Sequence, residues 1–164
     1  IKSTHEAIIE LLEEKIDQTS KRIEGMIKQK ESLNIEYQNL QTIPAIGKET
    51  AVILLRHLTD KNFETANKFV AFAGLSPKIE QSGTSVNKKG RLSRYGHRQL
   101  KRALFMPALV AYRMNAFPQL VRNLEAAKKP KMIIIVAIMR KLAKIAFYIH
   151  KTKKPFDKAR HQTV

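Results

Sequence analysis

The chain has no cysteine and no tryptophan, and six glycines and six prolines are few for 164 residues. Without cysteine it can form neither a disulfide framework nor a thiolate metal site. Its most apolar run, residues 132–139, is far shorter than the roughly 20 residues that span a bilayer. No signal-peptide pattern opens the sequence. These absences predict a protein without a membrane segment that works in the cytoplasm.

Acidic residues are scarce in only one part of the chain. Residues 1–42 carry six Lys or Arg and eight Asp or Glu, whereas residues 43–164 carry 25 and six. The resulting net charges, −2 and +19, indicate two modules that join near residue 42. We expect the second module to bind nucleic acid, because each neutralised phosphate releases counterions. The alternative is a ribosome-like or merely soluble basic surface.

Apolar residues recur at alternating steps of three and four along residues 4–41, a segment without proline. A seam sustained for over four heptads predicts a coiled-coil helix over residues 1–41, which would link domains and form a homo-oligomer. The alternative is a long helix packed on its own domain. The seam consists of Ile9, Leu12, Ile16, Thr19, Ile23, Met26, Lys30, Leu33, Tyr37 and Leu40.

A turn at Pro44-Ala45-Ile46-Gly47 separates two helical patterns, and the second opens at Lys48. The turn resembles the helix-hairpin-helix motif of DNA-repair proteins, although that motif usually has glycine where this chain has Ala45. Gly47 would let the backbone approach a phosphate, and the N–H groups that open the next helix would point at it. Ile46, Gly47 and Lys48 are therefore candidate nucleic-acid-binding residues. The alternative is an ordinary corner of the core with Ile46 buried.

A loop or short hairpin is predicted over residues 76–97, after a short helix that Thr65 caps and Gly74 ends. The segment combines glycines, hydroxyls and cations, which together suit phosphate binding. His97 could move a proton, but a phosphate contact is the favoured interpretation. The residues expected to contact nucleic acid here and in the next helix are Lys88, Lys89, Arg91, Arg94, His97, Arg98 and Arg102.

The remaining helical patterns complete an all-α fold, in which the coiled-coil helix precedes a compact helical domain over residues 42–164. A helix from Gln99 should kink or end at Pro107. A short helix through Leu124 follows, and residues 131–150 form the central core helix. The basic tail after Lys151 is expected to fray.

No spacing typical of a metal site or a nucleotide-binding loop is present. The six acids of the basic module are scattered, and the five histidines lack ligand spacing. We therefore predict no metal site in this chain. Spacing alone supports a basic helical nucleic-acid-binding domain and nothing further.

Five ordered segments resemble one known family. They are Ile43-Pro-x-Ile46-Gly47-x-x-Thr-Ala51, Phe69-x-x-Phe-Ala-Gly74-Leu75-x-Pro77, Gln81-Ser82-Gly83, Gly90-x-Leu-Ser93-x-Tyr-Gly96-His-x-x-Leu100-x-x-Ala-Leu104 and Arg140-Lys141-Leu142. Together they resemble the C-terminal domain of the insertion-sequence transposases related to the Piv DNA invertases. The resemblance covers roughly residues 43–148.

This resemblance implies an enzyme divided between two halves. An N-terminal half similar to the RuvC resolvase would hold Mg²⁺ through an Asp-Glu-Asp-Asp site, and a serine of the C-terminal half would form a covalent phosphoserine with DNA. The matching serine is Ser82, with Ser93 and Ser85 as rivals, and nearby cations would stabilise the phosphoryl charge. The implied partners are element ends, target DNA and a guide RNA. We expect this chain alone to be inactive.

Two other functions remain open at this point. One is a non-catalytic helix-hairpin-helix nucleic-acid-binding module. The other is an interaction protein in which the coiled coil matters most and the basic face meets an acidic partner. A bacterial or archaeal cytoplasm, with association to the nucleoid, is the expected location for the transposase.

Overall fold

The computed structural model describes residues 2–78, 81–82, 86–87, 91–92 and 95–161. The predicted all-α class is confirmed, since helices form the body and the strands are two residues each. The helices are α1 (Lys2–Lys28), α2 (Glu31–Gln41), α3 (Lys48–Asp60), α4 (Ala66–Phe72), α5 (Arg98–Arg113), α6 (Pro118–Ala126), α7 (Lys131–Thr152) and α8 (Lys158–His161). The strands are β1 (Pro77–Lys78), β2 (Gln81–Ser82), β3 (Val86–Asn87) and β4 (Arg91–Leu92).

Helix α7 is the centre of the core, as its sequence predicts. Eleven of its residues are buried, and it packs against α2, α3, α4, α5 and α6. Its first half is apolar on nearly every side, which requires neighbours all round. Helices α2 to α6 pack around α7, so the body is a helical bundle around a single core.

The predicted long N-terminal helix is confirmed as α1, but the prediction that it extends to residue 41 is wrong, because α1 ends at Lys28 and a second helix, α2, begins at Glu31. The backbone of Lys30 is extended and begins α2, while its N–H donates to the carbonyl of Ile27 and tightens the last turn of α1. The break lets α2 bury Tyr37 and Leu40 in the body. Residues 4–19 of α1 are exposed on every side, so the two halves of the seam have different environments.

Helix α5 continues through Pro107 to Arg113, so this proline does not end the helix. The side chain of Pro107 is buried. Packing against α7 therefore holds a helix in which one backbone hydrogen bond is missing at the proline.

The start of the C-terminal tail is docked on the body, and the expectation that it frays is wrong up to Phe156. The carboxylate of Glu36, on α2, forms an ion pair with Lys153 and a hydrogen bond with Nδ1 of His150. The N–H of Phe156 donates to the Thr42 hydroxyl at 2.7 Å. These bonds fasten the end of α7 to α2 through groups far apart in sequence.

None of the described helices is long and apolar enough to cross a membrane.

Candidate nucleic-acid interface

The predicted hairpin between α4 and α5 is confirmed as an antiparallel β stem. Strand β1 pairs with β4, and β2 pairs with β3 farther out along the same stem. Ser82 lies on β2 opposite Val86. The backbone of the predicted nucleophile is therefore in the outer pair of short strands.

Two glycines cross at the base of this stem. Gly74 has φ +70° and Gly96 has φ +126°, both in the region that favours glycine. A β-carbon on Gly96 would lie 2.3 Å from the α-carbon of Gly74, and one on Gly74 would lie 2.5 Å from the carbonyl oxygen of Tyr95. The two chain segments that leave and re-enter the body thus touch through backbone atoms.

His97 joins the stem to α5. Its N–H donates to the carbonyl of Phe72 at 2.7 Å, and its Nδ1 accepts from the N–H of Leu100 at 3.4 Å, which caps α5. Its ring lies 4.1 Å from the ring of His57 and 5.4 Å from that of Phe72, measured between centroids. His97 therefore has a structural role at the base of the hairpin, whatever it contributes to binding.

His57 is a buried member of this cluster that the sequence does not single out. Its Nε2 has no hydrogen-bond partner among the described residues. Burial lowers the pKa of His57, and the neighbouring His97 lowers it further. The ring is therefore neutral at pH 7 and packs as an aromatic group at the foot of the stem.

Two arginines of α5 line an open groove beside this stem. Arg98 and Arg102 are one helical turn apart, so both point to the same side of α5. The groove has a volume of about 630 Å³ and is lined by Ile53, Arg98, Gln99, Arg102 and Ala103. None of these described lining residues is acidic, so the groove is suited to a polyanion.

Helix α3 forms the opposite wall of the groove and connects it to the turn at residues 42–47. Thr50, in the first turns of α3, donates a hydrogen bond of 3.4 Å to the carbonyl of Ala103. Ile53, one turn later, lines the groove itself. Helix α3 thus links the predicted turn to the helix that carries the predicted cations Arg98 and Arg102.

The turn itself has the predicted position but a different backbone. Ala45 has φ +66°, so the position where the motif usually has glycine is in the left-handed region. Gly47 is extended, with φ −89° and ψ 178°, and a β-carbon there would meet nothing within 4 Å. The conformation of Gly47 therefore does not require glycine, and its surroundings would accept a methyl group.

The other two turn candidates are engaged within the protein. The Ile46 side chain is buried, and its N–H donates to the carbonyl of Ile43 at 3.1 Å, so Ile46 holds the turn in place. The ammonium of Lys48 lies 3.1 Å from the carboxylate of Glu24 on α1. That hydrogen bond and the charge of Glu24 raise the pKa of Lys48. Lys48 remains a solvent-exposed cation at the end of α1.

The remaining site predictions fall partly outside the described residues. Lys88, Lys89 and Arg94 lie there, as do the rival serines Ser85 and Ser93. Arg91 lies on β4, and Ser82 on β2. These residues stay predictions.

Sequence reasoning missed the residues that complete the groove. Arg98 and Arg102 could be grouped from their spacing on one helix. Ile53 and Gln99 could not, because the groove depends on the packing of α3 against α5. No group of three or more His, Asp or Glu side chains that could hold a metal ion occurs within the described residues.

The fold and groove define a helical domain with a cationic face beside a β hairpin. The family model of the IS116/IS110/IS902 transposases matches residues 37–122, which include the turn, the hairpin and α5. The chain belongs to this transposase family, and the resemblance seen in its sequence is confirmed.

Named relatives agree with this assignment. Pilin gene-inverting proteins of Moraxella lacunata and Moraxella bovis are each 38% identical to this chain over 150 residues, which are 90% of this chain and 47% of theirs. An uncharacterized 43.6 kDa protein of insertion element IS110 from Streptomyces coelicolor is 41% identical over 80 residues, which are 48% of this chain and 19% of that protein. The chain thus spans about half the length of the two pilin gene-inverting proteins.

Proposed function

We propose that this chain is the DNA-binding, serine-bearing part of a DNA recombinase. The observation that carries the proposal is the groove of Arg98 and Arg102 at the foot of the hairpin that bears Ser82. A strand lying in the groove would have its phosphates neutralised by guanidinium groups. The similarity to proteins named as inverting a gene supports DNA as the partner.

In the proposed reaction, the Ser82 hydroxyl attacks the phosphorus of a DNA phosphodiester. The new Oγ–P bond replaces the bond from phosphorus to the leaving deoxyribose oxygen. The serine proton passes to a base, and the leaving oxygen gains a proton. The cations predicted around the hairpin would stabilise the charge on the phosphoryl oxygens. The family resemblance implies that Mg²⁺ would be held by carboxylates of an N-terminal half similar to the RuvC resolvase.

The test uses a longer protein that contains both halves, together with Mg²⁺ and DNA bearing the element end. We expect a covalent protein–DNA adduct that Ser82→Ala abolishes, while Ser85→Ala and Ser93→Ala retain it. Loss of the adduct only in Ser93→Ala or Ser85→Ala would transfer the nucleophile role to that serine. An adduct unaffected by all three substitutions would overturn the serine mechanism.

A second function, a non-catalytic helix-hairpin-helix module, is favoured by the start of α3. No side chain caps this helix, and a β-carbon on Gly47 would meet nothing within 4 Å, so this side of Gly47 leaves room for a phosphate that accepts from the first N–H groups. In that case Gly47→Ala should weaken duplex binding with little change in melting temperature. Ser82→Ala would then leave every activity of the longer protein intact.

Oligomerisation through α1 belongs to the same proposal. The seam residues Ile9, Leu12 and Ile16 are exposed, with Ile16 61% accessible, so a second helix could cover them. Light scattering should show a dimer or larger that Ile16→Asp dissociates. Gln18→Asp, which adds the same charge outside the seam, should leave the association intact. A monomeric parent would contradict this part of the proposal.

A guide RNA is the remaining proposed partner, because the groove can bind any phosphate backbone. Binding of the RNA can be measured by its competition with labelled element-end DNA, using a structured RNA transcribed from the element. We expect the element RNA to compete better than an RNA of equal length and shuffled sequence. Equal competition would remove the guide RNA from the proposal.

A further inference from the structure

A second cationic cavity lies between α6 and α7. Its volume is about 210 Å³, and its lining residues are Leu120, Ala137, Arg140, Lys141 and Lys144. On α7, Arg140 and Lys141 lie three and four positions after Ala137, and Lys144 lies seven after it, so these four residues share one face of the helix. Arg98 and Arg102 are not among its lining residues, so this cavity is separate from the groove on α3 and α5.

The charge in this cavity is unusual for a helix–helix contact. Three of its five lining residues are cationic, and none of these described residues is acidic. Lys141 is only 8% exposed, and its ammonium lies 5.8 Å from the ring centroid of Phe117. Burial lowers the pKa of Lys141, and the charge of Lys144 lowers it further. Three cationic side chains around one small cavity create a positive potential that attracts an anion.

The cavity dimensions indicate the kind of anion. Sites for whole small molecules usually measure about 300–1,000 Å³, so this smaller cavity suits one compact group. Arginine and lysine side chains bind phosphate oxygens, and arginine can do so with two parallel hydrogen bonds. Leu120 belongs to the first turn of α6, whose N–H groups no side chain caps and which also favours an anion.

We propose that the cavity between α6 and α7 binds one phosphate group of a nucleic-acid backbone through Arg140, Lys141 and Lys144. The inference rests on the proposed function, because it requires the chain to bind nucleic acid. It adds a second point of contact, so a bound strand or duplex would touch the domain both at the α3–α5 groove and at this cavity.

The experiment compares Arg140→Gln/Lys144→Gln with Lys129→Gln/Lys131→Gln, a control that removes two charges from exposed residues outside the cavity. Fluorescence anisotropy with a duplex at several salt concentrations gives the slope of log K against log salt. The cavity variant should bind about tenfold more weakly at low salt, with a slope smaller by about one, which corresponds to one lost phosphate contact. The control should keep the parental slope.

Thermal melting with inorganic phosphate, against chloride at equal ionic strength, reports the anion site directly. Phosphate should raise the melting temperature of the parent and the control but not of the cavity variant. Without phosphate the cavity variant should melt no lower than the parent, because it has lost a repulsion. A merely structural role for these residues would instead lower that melting temperature.

Two results overturn the inference. Equal duplex affinity and salt slope in the cavity variant and the control would show that the cavity does not hold a nucleic-acid phosphate, even if free phosphate binds there. An equal response to phosphate in all proteins would show that the cavity is not an anion site. Normal binding by the cavity variant, together with weak binding by an Arg98/Arg102 variant, would contradict this inference and leave the proposed function intact. A parent protein that binds no nucleic acid would contradict both.

Discussion

Gly74 and Gly96 cross so closely at the foot of the hairpin that a β-carbon on Gly96 would lie 2.3 Å from the α-carbon of Gly74. One glycine ends the segment after α4, and the other precedes α5. Their contact fixes where the β stem leaves the helical body. The position of Ser82 relative to the groove therefore depends on two residues that carry no functional group.

Replacing either glycine should disturb the stem. Gly96→Ala or Gly74→Ala combines an unfavourable backbone region with overlap against backbone atoms, and we expect a loss of about 3 kcal/mol in unfolding free energy. Gly25→Ala is the control, because Gly25 lies in α1 with open space around its α-carbon, and alanine there should stabilise by up to about 1 kcal/mol. Urea unfolding measures all three. Unchanged stability in both stem variants would contradict the crossing.

The turn before α3 offers the opposite substitution. Ala45 is in the left-handed region with φ +66°, so Ala45→Gly removes an unfavourable backbone conformation from the folded state. Glycine also gives the unfolded chain more conformational freedom, which partly cancels this gain. We therefore expect the unfolding free energy to rise by about 0.5 kcal/mol. Gly47→Ala should change it by less than about 0.5 kcal/mol, because its extended backbone and open surroundings accept a methyl group. Thermal unfolding compares the stabilities of the two variants. A large loss of stability in Gly47→Ala, with no gain in Ala45→Gly, would contradict the backbone geometry of this turn.

The position of this turn was thus predictable from the sequence, but the backbone conformation of its residues was not. The sequence places a turn at residues 44–47 and suggests that glycine there matters. The structure shows that the residue with the unfavourable backbone conformation is Ala45. The hydrogen bond from the Ile46 N–H to the Ile43 carbonyl and the burial of Ile46 determine the dihedral angles of this turn. In contrast, the caps at Thr65 and Gly74 were predictable, since each depends on a short segment alone.

The break between α1 and α2 shows a limit of periodicity. A seam of steps three and four continues through residues 4–41, but Tyr37 and Leu40 in its second half are buried in the body, whereas Ile9, Leu12 and Ile16 in its first half are exposed. Heptad spacing predicts that one face will be buried, and it does not distinguish a partner chain from the same chain. The groove also could not be predicted from sequence patterns, because Ile53 and Arg102 are distant in sequence and line the same groove only through the packing of α3 on α5.

The Glu36 carboxylate should make stability depend on pH. Burial alone would raise the pKa of Glu36, but hydrogen bonds from His150 and Lys153 outweigh it and hold the pKa below 4.5. Since the folded-state pKa is lower than the unfolded one, this contribution is fully present above about pH 4.5 and disappears as pH falls through the folded-state value. The parent should therefore lose stability on acidification more steeply than Glu36→Gln.

At pH 7 the same variant should be less stable than the parent by about 2 kcal/mol, because two charge-assisted hydrogen bonds to α7 and the tail are lost. Glu13→Gln, which removes a charge from the exposed face of α1, serves as the control and should be nearly neutral. Urea unfolding from pH 3 to pH 7 measures both effects. Parallel pH curves for the parent and Glu36→Gln would show that this carboxylate is not coupled to folding.

The α3–α5 groove can be tested without any catalytic step. Arg98→Gln/Arg102→Gln removes two cations from a surface whose described lining holds no acid, so we expect weaker duplex binding and a salt slope smaller by about two. Both arginines are exposed, and the melting temperature should change little. Lys129→Gln/Lys131→Gln, with the same loss of charge outside the groove, distinguishes local contacts from net charge. If both double variants bind with one reduced affinity and one slope, total charge explains the binding and the groove is not the interface.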